Sequence, residues 1–362
     1  MRPTSLVDTV VIAGVGLIGG SVGLGLRQRF LAQRVIGLDL DPKALDAALG
    51  MGVIDEAQLQ VGTWLEQADL VFLASPAGTL LESARSIIPY LRPDAVLTDV
   101  GSVKADIVRA LHDVNFIGGH PMAGSERGGV QNADAALLEN AVWVLTPTLH
   151  SNDGALRLVR DVVEHLGAKT IQVDPEQHDR LVAAVSHVPY LTALALTQLI
   201  AASQDSNLMM VLAAGGFRDL TRVASGSPRM SRDMVVGNKA MVQQTLAQLQ
   251  TQLSELSALL EDSEQLLEHA QAAKRLRDSI PIVRRSLLPA RYELVIAVPD
   301  KPRQLARITQ ALGDAEVNIQ DIEVLGIREA GGAVRLAFDN DAQLKTASQV
   351  LRDLGYELRG RA

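Results

Sequence analysis

A glycine-rich turn near the start of the chain constrains the fold more than any other feature. A β-branched apolar run at residues 9–12 leads into the motif GVGLIG at residues 14–19, and a long apolar segment compatible with a helix follows. A second apolar run, at residues 35–38, ends on Asp39. Strand, glycine turn, helix, strand and acid within about thirty residues are typical of a dinucleotide-binding βαβ unit. The turn therefore predicts a Rossmann-type α/β domain.

The spacing within this unit also predicts the cofactor, NAD. Gly14 and Gly16 would allow a tight turn and a close approach to a pyrophosphate, and Gly19 would let the helix pack closely on the strand. Asp39 is placed to accept a hydrogen bond from a ribose 2′-hydroxyl and to repel a 2′-phosphate, which favours NAD over NADP. The nearby bases Arg34 and Lys43 are the counter-argument. The predicted cofactor site also includes Leu17, Ile18, Ser75 and Pro76.

Composition excludes several classes of function. The 362 residues suffice for two or three domains, and a 47% hydrophobic content can supply their cores. The absence of cysteine excludes disulfides, thiolate metal sites and a cysteine nucleophile, and we expect no metal. A net charge of −8 argues against nucleic acid or an anionic membrane as partner. The apolar runs are interrupted by glycine, so no membrane span is predicted and a cytoplasmic protein is expected.

The chain divides into three predicted domains. In the first, residues 1–175, strands alternate with helices, as in a doubly wound sheet whose ligand crevice lies at the carboxyl ends of its strands. Residues 176–285 form an all-helical domain, and residues 290–362 read as a ferredoxin-like βαββαβ unit. The strands predicted for the first domain are residues 9–12, 35–38, 70–74, 95–99, 116–118, 141–145 and 169–173.

A leucine stripe in the helical domain suggests an interface. Six leucines recur at helical spacing, with Ser263 as an interruption. The stripe either packs inside the domain or forms a homodimer interface, and we favour the homodimer. Its members are Leu246, Leu249, Leu253, Leu256, Leu260 and Leu267.

The segment GGHPMAGSERGG at residues 118–129 contains the predicted general base, His120. This loop follows a strand, and a histidine at a strand end can take the hydroxyl proton when a hydride leaves an alcohol carbon. Ser102, at the end of another strand, is the second catalytic candidate. Its hydroxyl would orient the histidine or bind the substrate, or else cap a helix beginning near Val103. Lys104 would either face the ligand or be solvated.

Two segments of the helical domain contribute further candidates. His187 precedes a proline in an apolar segment, so a core role and a ligand role remain equally open. Arg218 and Arg222 lie four residues apart, and an arginine fork matches a carboxylate. An ion pair with Asp219 is the alternative for Arg218.

These motifs, in this order, resemble the prephenate dehydrogenase family of tyrosine biosynthesis. The match comprises GVGLIGGS, TDVGSVK, GGHPMAGSE, VSHVP and GGFRDLTRVA and covers almost the whole chain. The resemblance implies that NAD oxidises prephenate at its ring carbinol, that the ring carboxylate leaves as carbon dioxide, and that 4-hydroxyphenylpyruvate forms. It also implies roles for five residues. These are proton acceptance by His120, orientation by Ser102, carboxylate binding by Arg222, and substrate contacts from His187 and Ser125.

The tail from Tyr292 resembles an ACT domain, a small-molecule sensor, so tyrosine is the expected effector. The resemblance places a regulatory site at Asp300, Asn318 and Ile319. The chain departs from the family pattern twice. Arg303 stands where the ACT turn usually has glycine, and Ser231 stands where related enzymes can have an aromatic residue.

Two alternatives remain from the sequence. Arogenate differs from prephenate by an amino group at one end, and the motifs do not separate these two substrates. A protein that binds NAD and senses an amino acid without catalysis is the other alternative. The presence of His120, Ser102 and Arg222 together argues against it.

Overall fold

The computed structural model describes residues 5–124, 128–280, 292–299, 301–328 and 331–359. The chain forms two compact units, Met1–Pro281 and Ile282–Ala362. The strands of the first unit are β1 (Val7–Ala13), β2 (Ala32–Leu38), β3 (Glu56–Gln58), β4 (Leu70–Leu73), β5 (Val96–Asp99), β6 (Phe116–Pro121), β7 (Val142–Thr146) and β8 (Lys169–Gln172). Its helices are α1 (Leu17–Gln28), α2 (Pro42–Gly50), α3 (Leu80–Ile87), α4 (Ala105–Ala110), α5 (Asp153–His165), α6 (Pro175–Val182), α7 (Val188–Ala201), α8 (Ser206–Leu212), α9 (Gly215–Thr221), α10 (Pro228–Gly237), α11 (Lys239–Ala258) and α12 (Ser263–Ser279).

The eight strands form one sheet in the order β3-β2-β1-β4-β5-β6-β7-β8. All neighbours pair in parallel except β6 and β7, which are antiparallel. All seven predicted strands are present. Sequence reasoning missed β3, because Glu-Ala-Gln at residues 56–58 contains no apolar run to identify an edge strand.

Both faces of this sheet are buried, which explains its near-continuous apolar strands. On β1, Val10 and Ile12 face one hydrophobic cluster, whereas Val11 and Ala13 face the other. Helices α1 and α5 contribute to the first cluster, and α3 and α4 contribute to the second. The predicted doubly wound sheet is therefore confirmed.

The all-helical part follows the sheet directly and covers part of its carboxyl edge. Helix α10 packs on the turn after β4. There a carboxylate oxygen of Asp233 lies 3.0 Å from the position that a Cβ atom at Gly78 would occupy. The end of α10 approaches Val103, in the turn after β5. The predicted helical domain is confirmed, and its position restricts access to the strand ends where ligands bind in such sheets.

The leucine stripe lies partly in the core and partly on the surface. Helix α11 ends at Ala258, and Asp262 caps α12 by accepting a hydrogen bond from the Gln265 amide. Leu246 and Leu249 pack against a small cluster formed by Ala183, Val188 and Val242. The other four, Leu253, Leu256, Leu260 and Leu267, are exposed in the single chain.

Helices α6 and α7 join through a π-helical turn at Ala183–His187 into one helical run, Pro175–Ala201, which contains an apolar stretch. By length and composition alone this run is long enough to cross a membrane. However, the buried carboxylate of Asp179, near its start, accepts hydrogen bonds from the Lys104 and Ala105 amides. That contact ties the run to the sheet, as in a helix of a folded globular unit.

The second unit has the βαββαβ order that the sequence predicts. Its elements are β9 (Tyr292–Val298), α13 (Gln304–Asp314), β10 (Asp321–Arg328), β11 (Gly331–Phe338), α14 (Asp341–Asp353) and β12 (Glu357–Arg359). The four strands are antiparallel in the order β10-β11-β9-β12. Arg303, at the glycine position of the ACT turn, adopts a left-handed backbone with φ of 72° at the start of α13.

Candidate active site

The glycine turn has the geometry that its three glycines predict. Gly14 has φ of 106°, and a side chain there would lie 2.5 Å from the backbone of Ala74. A side chain at Gly19 would lie 2.1 Å from the Gly14 carbonyl oxygen, so only glycine lets α1 approach the strand this closely. Gly16 faces open space within 4 Å, which leaves its backbone accessible to a ligand.

The N-terminus of α1 is suited to a pyrophosphate. Among the described residues no side chain caps it, and no acid lies in its first turn. Leu17 and Ile18 are half-buried in this turn. The buried hydroxyl of Ser75 has no hydrogen-bond partner within the described residues, and the exposed Pro76 follows it at the same edge. Uncapped amides and a free hydroxyl at a helix N-terminus fit an anionic ligand such as the pyrophosphate of NAD.

A cavity of about 420 Å³ adjoins the glycine turn. Asp39 lines it and accepts hydrogen bonds from the amides of Val15, at 2.8 Å, and Asp41, at 2.9 Å. Arg34 does not line the cavity and pairs with Glu56, whereas the exposed Lys43 does line it. A carboxylate held beside the turn fits a ribose diol. The remaining lining residues are Gly16, Ala44, Ala47, Gly129, Val130 and Gln131.

A buried ion pair organises the backbone on which the predicted catalytic residues lie. Asp99 and Lys104 are fully buried and bonded to each other. Asp99 also accepts hydrogen bonds from the amides of Gly101 and Gly119, each at 2.9 Å. These glycines precede Ser102 and His120, so one carboxylate fixes the chain before both residues. Burial lowers the pKa of Lys104, and the attraction of Asp99 opposes that shift.

His120 lies within β6, opposite Val144 of β7, and not in a loop after the strand as the sequence suggested. Its Nδ1 is 2.9 Å from Nε2 of His178, and His178 Nδ1 is 2.8 Å from Oδ1 of Asp179. Burial lowers the pKa of His120 well below its usual value, and the charge of Lys104, with any positive charge on His178 or His187, acts in the same direction. A neutral imidazole at neutral pH is the form that a general base requires.

His187 is fully buried in the π-helical turn between α6 and α7. Its Nδ1 lies 3.2 Å from the side-chain nitrogen of Asn238, which also donates to the Asp179 carbonyl oxygen at 2.7 Å. Since an amide nitrogen only donates, His187 Nδ1 accepts and its Nε2 bears the proton. That Nε2 has no partner in the described part of the chain. Burial lowers the pKa of His187 to about 4.

The structure corrects two expectations around Ser102. Helix α4 begins at Ala105, not near Val103, and the carboxylate of Asp179 caps it. Ser102 is half-buried after β5, next to β6, and its hydroxyl makes no hydrogen bond within the described residues. Lys104 is neither solvated nor free to face a ligand, because it is buried against Asp99.

Arg222 is exposed, directly after α9, and forms no ion pair within the described residues. Arg218 is exposed on α9, and within the described residues it makes no ion pair with Asp219. Within the described residues, no hydrogen bond or ion pair links Arg222 to His120, His178 or His187. Ser231 is buried within α10. Ser125 lies outside the described residues.

In the second unit, Asn318 is exposed and Ile319 is half-buried, and both precede β10. Asp300 lies outside the described residues.

Sequence reasoning missed Asp99, His178, Asp179 and Asn238, four buried polar residues around the candidate base. Asp99 could have been predicted, because it is the last residue of a predicted strand and polar residues at the carboxyl ends of parallel strands lie at the ligand-binding edge of the sheet. His178 and Asp179 lie in a helix with no local motif, and their partners are distant in sequence. Among the described residues, no group of three His, Asp or Glu side chains could hold a metal ion.

Comparison with known proteins identifies the family. Residues 22–172 match the nucleotide-binding domain of prephenate dehydrogenase, residues 174–272 match its dimerization domain, and residues 292–356 match the ACT domain. Prephenate dehydrogenase of Bacillus subtilis is 34% identical over 357 residues, which is 95% of each chain. The chain belongs to the prephenate dehydrogenase family. The predicted family, its oxidoreductase class with an NAD-binding domain, and the ACT domain are thereby confirmed.

Solved structures agree with this family. Prephenate dehydrogenase of Aquifex aeolicus, in complex with hydroxyphenyl propionate and NAD+, superposes with a TM-score of 0.72 at 34% identity. The match covers 76% of this chain and 98% of that chain. Arogenate dehydrogenase of Synechocystis superposes with a TM-score of 0.68 at 33% identity, covering 75% of this chain and 100% of that chain. Relatives of both substrate specificities therefore share this architecture.

Proposed function

We propose that this chain oxidises prephenate with NAD+ and releases 4-hydroxyphenylpyruvate and carbon dioxide, with His120 as the general base. The supporting observation is the hydrogen bond from His120 Nδ1 to His178. It leaves Nε2 of His120 without a partner in the described residues, on a ring that is half-buried, whereas His187 is fully buried. An imidazole nitrogen held in this way can accept the proton of a ring hydroxyl.

The reaction balances without a further reagent. When bound along Gly14, Gly16 and the N-terminus of α1, NAD+ would supply the acceptor for the hydride that leaves the ring carbinol carbon. His120 takes the hydroxyl proton, and the electrons of the bond to the ring carboxylate complete the aromatic ring as carbon dioxide leaves. The proton then returns from His120 to the phenolate oxygen, so the base is regenerated. The residues of the chain position the substrate and hold one proton.

The proposal assigns further roles near the base. His187 presents a buried Nε2–H with no partner, which can donate to a substrate oxygen. Ser102, in the turn after β5, contributes a hydroxyl that makes no hydrogen bond within the described residues. Arg222, exposed and without an ion pair in the described residues, is the proposed carboxylate ligand. Ser125 remains a proposed substrate contact from the sequence alone. NAD is proposed to lie along Gly14, Gly16 and the N-terminus of α1, with its ribose at Asp39.

Arogenate is the second candidate substrate. The arogenate dehydrogenase of Synechocystis is almost as similar in structure as the prephenate enzyme of Aquifex aeolicus. The two substrates differ only at the keto or amino carbon of the side chain. Purified protein should be incubated with NAD+ and either substrate while NADH absorbance is followed. Turnover of prephenate alone supports the first proposal, turnover of arogenate alone replaces it, and no turnover of either contradicts the enzyme proposal.

Replacement of His120 tests its assignment as the base. His120→Asn should lower kcat by roughly 100- to 10,000-fold, because no group remains to take the hydroxyl proton. NAD+ affinity, measured by titration calorimetry, should stay near that of the unchanged protein. Turnover within a few-fold of the unchanged protein would reject the assignment.

We further propose that two chains pair through the helical region and that the second unit binds an effector, tyrosine. The exposed leucines of α11 and α12 and the family's dimerization domain support the homodimer. The match to an ACT domain supports an effector. The domain boundaries at residues 175, 285 and 290 and a cytoplasmic location stay predictions.

A further inference from the structure

Three side chains form a hydrogen-bonded chain that ends on the proposed base. We call His120, His178 and Asp179 the histidine–aspartate chain. The two imidazole rings meet edge to face, with centroids 5.1 Å apart and planes at 73°. His178 and Asp179 are 2% and 4% exposed, so water does not replace either contact. Asp179 is also anchored by the amides of Lys104 and Ala105, at 2.8 and 2.9 Å.

The positions of the protons in this chain follow from donor and acceptor chemistry. A carboxylate only accepts, so His178 bears a proton on Nδ1, which it donates to Asp179. Nε2 of a neutral His178 then has a lone pair and accepts from Nδ1 of His120. His120 is therefore held as the tautomer whose Nε2 lone pair is free. Asp179 determines this tautomer through His178, although it does not touch His120.

We propose that His178 is a positioning residue that holds His120 in its reactive tautomer and stabilises the imidazolium formed during the reaction. This inference rests on the proposed function. When Nε2 of His120 takes the hydroxyl proton, both ring nitrogens carry protons. The positive charge is then shared through Nδ1–H with His178, which Asp179 polarises. Returning the proton to the phenolate oxygen restores the starting state, and no group is consumed.

The charges around His120 explain why this support is needed. Lys104 faces it from the turn before α4 and opposes a positive charge on the ring, whereas His187, in the π-helical turn, would do so only below its own pKa of about 4. Asp99 of β5 is paired with Lys104. Burial is the main cause of the lowered pKa of His120. A protonated His178 would lower it further, whereas a neutral His178 that accepts the Nδ1 proton favours the imidazolium.

Two substitutions at one position separate the two contacts of His178. In His178→Gln the side-chain oxygen can reach the place of Nε2 and still accept from His120. In His178→Asn the shorter amide can still donate to Asp179 but offers no acceptor to His120. We expect kcat of His178→Asn to fall roughly 10- to 100-fold, and that of His178→Gln to fall clearly less, because the base itself remains in both. KM and NAD+ affinity should change little.

The pH profile provides a readout that a purely structural role would not move. The acid limb of kcat/KM reports the base in the free enzyme. Without an acceptor at Nδ1 the imidazolium is less stable, so the limb should move about one unit lower in His178→Asn, a tenfold shift in the proton equilibrium. His112→Gln, at an exposed histidine after α4, is the matched control and should leave the profile unchanged.

The tautomer can also be measured without any substitution. Nitrogen NMR of the full chain with ¹⁵N-labelled histidine should show His120 and His178 both protonated at Nδ1 near neutral pH. A proton on Nε2 of His120, or equal losses in both His178 variants with an unmoved acid limb, would overturn the inference. If the unchanged protein turned over neither prephenate nor arogenate, the proposed function would fail instead, whereas the NMR result for His120 and His178 would stand, so the two failures are distinguishable.

Discussion

At the scale of single residues, the neighbours of a side chain determine its protonation. His187 and Lys104 both have lowered pKa values because both are buried, yet only Lys104 has a carboxylate bonded to it. His187 instead accepts from Asn238 and stays neutral. The residue scale therefore predicts how stability depends on pH.

Stability should fall as the pH is lowered from about 6.5 towards 4. The folded protein keeps His187 neutral down to a pKa of about 4, whereas the unfolded chain binds the proton near 6.5. Between these pH values the unfolded state binds more protons than the folded state. The free energy of unfolding therefore falls by about 3 kcal/mol as the pH is lowered from 6.5 to 4. Urea unfolding at pH 7.0 and 4.5, followed by tryptophan fluorescence, measures this. Both tryptophans, Trp64 and Trp143, lie in the first unit.

His187→Asn is the matched variant for this measurement. Its amide oxygen can still accept from Asn238 but does not titrate. The pH dependence of stability should therefore become flatter, although it should not vanish, because the pKa of His120 is lowered in the same direction. An unchanged slope in His187→Asn would contradict the prediction.

At the scale of elements, two buried carboxylates fix the turn between β5 and α4 to the strand and the helix that carry His120 and His178. Asp99 ends β5, Lys104 precedes α4, and their ion pair spans the turn that contains Ser102. Asp99 also holds the Gly119 amide in β6, and Asp179 of α6 caps α4. Strand, turn and two helices are thus fixed by two buried carboxylates, and loss of one partner should have a large effect.

Lys104→Met should lower the free energy of unfolding by about 3–5 kcal/mol, because it leaves the Asp99 carboxylate buried without its counter-ion. Adding Asp99→Asn should recover part of this loss, since the buried charge is then gone. Lys274→Met is the control, because Lys274 pairs with Asp278 on the exposed surface of α12. Surface pairs contribute little, so this variant should unfold like the unchanged protein. Equal losses in both lysine variants would argue against a stabilising role for the buried pair.

At the scale of the whole molecule, the surface of the helical region does not suit an isolated chain. Leu253 and Leu260 are 56% and 71% exposed and continue the stripe that Leu246 and Leu249 bury. A contiguous apolar surface of this kind marks an interface. The second unit, by contrast, has its own hydrophobic cluster, with Ile296, Leu336 and Leu351 fully buried.

Leu253→Glu combined with Leu260→Glu should convert the proposed dimer into monomers, because charges would be buried at the interface. Light scattering coupled to gel filtration measures the mass. Leu149→Glu is the control, since Leu149 is equally apolar and fully exposed on the sheet-containing part of the first unit. A dimer that survives the double substitution would show that the stripe is not the interface.

Removal of residues 282–362 should leave dehydrogenase activity within a few-fold and abolish inhibition by tyrosine. The Aquifex aeolicus enzyme supports this expectation, because 98% of its chain matches only 76% of this one. The measurement is the tyrosine concentration that halves the rate of NADH formation, with the full chain as control. Inhibition that persists in the shortened chain would place tyrosine in the active site.

The sequence by itself determined the order of strands and helices, the glycine turn and the family. These follow from local signals, since a glycine that must adopt positive φ or admit a helix, and an apolar run between turns, are visible within a few residues. Gly14, Gly19 and Asp39 therefore lie where the motif predicts.

Only the tertiary structure decided which polar residues surround the base. Asp179 meets Lys104 across 75 positions of sequence, and His120 meets His178 across 58. No periodicity or motif in the sequence predicts such pairs, because they form only when the helical region packs on the carboxyl edge of the sheet. For the same reason Lys104, which reads as a surface lysine, is buried, and His178, which reads as an ordinary helical residue, touches the proposed base. Burial and hydrogen bonding depend on what lies opposite in space, and the fold alone sets that.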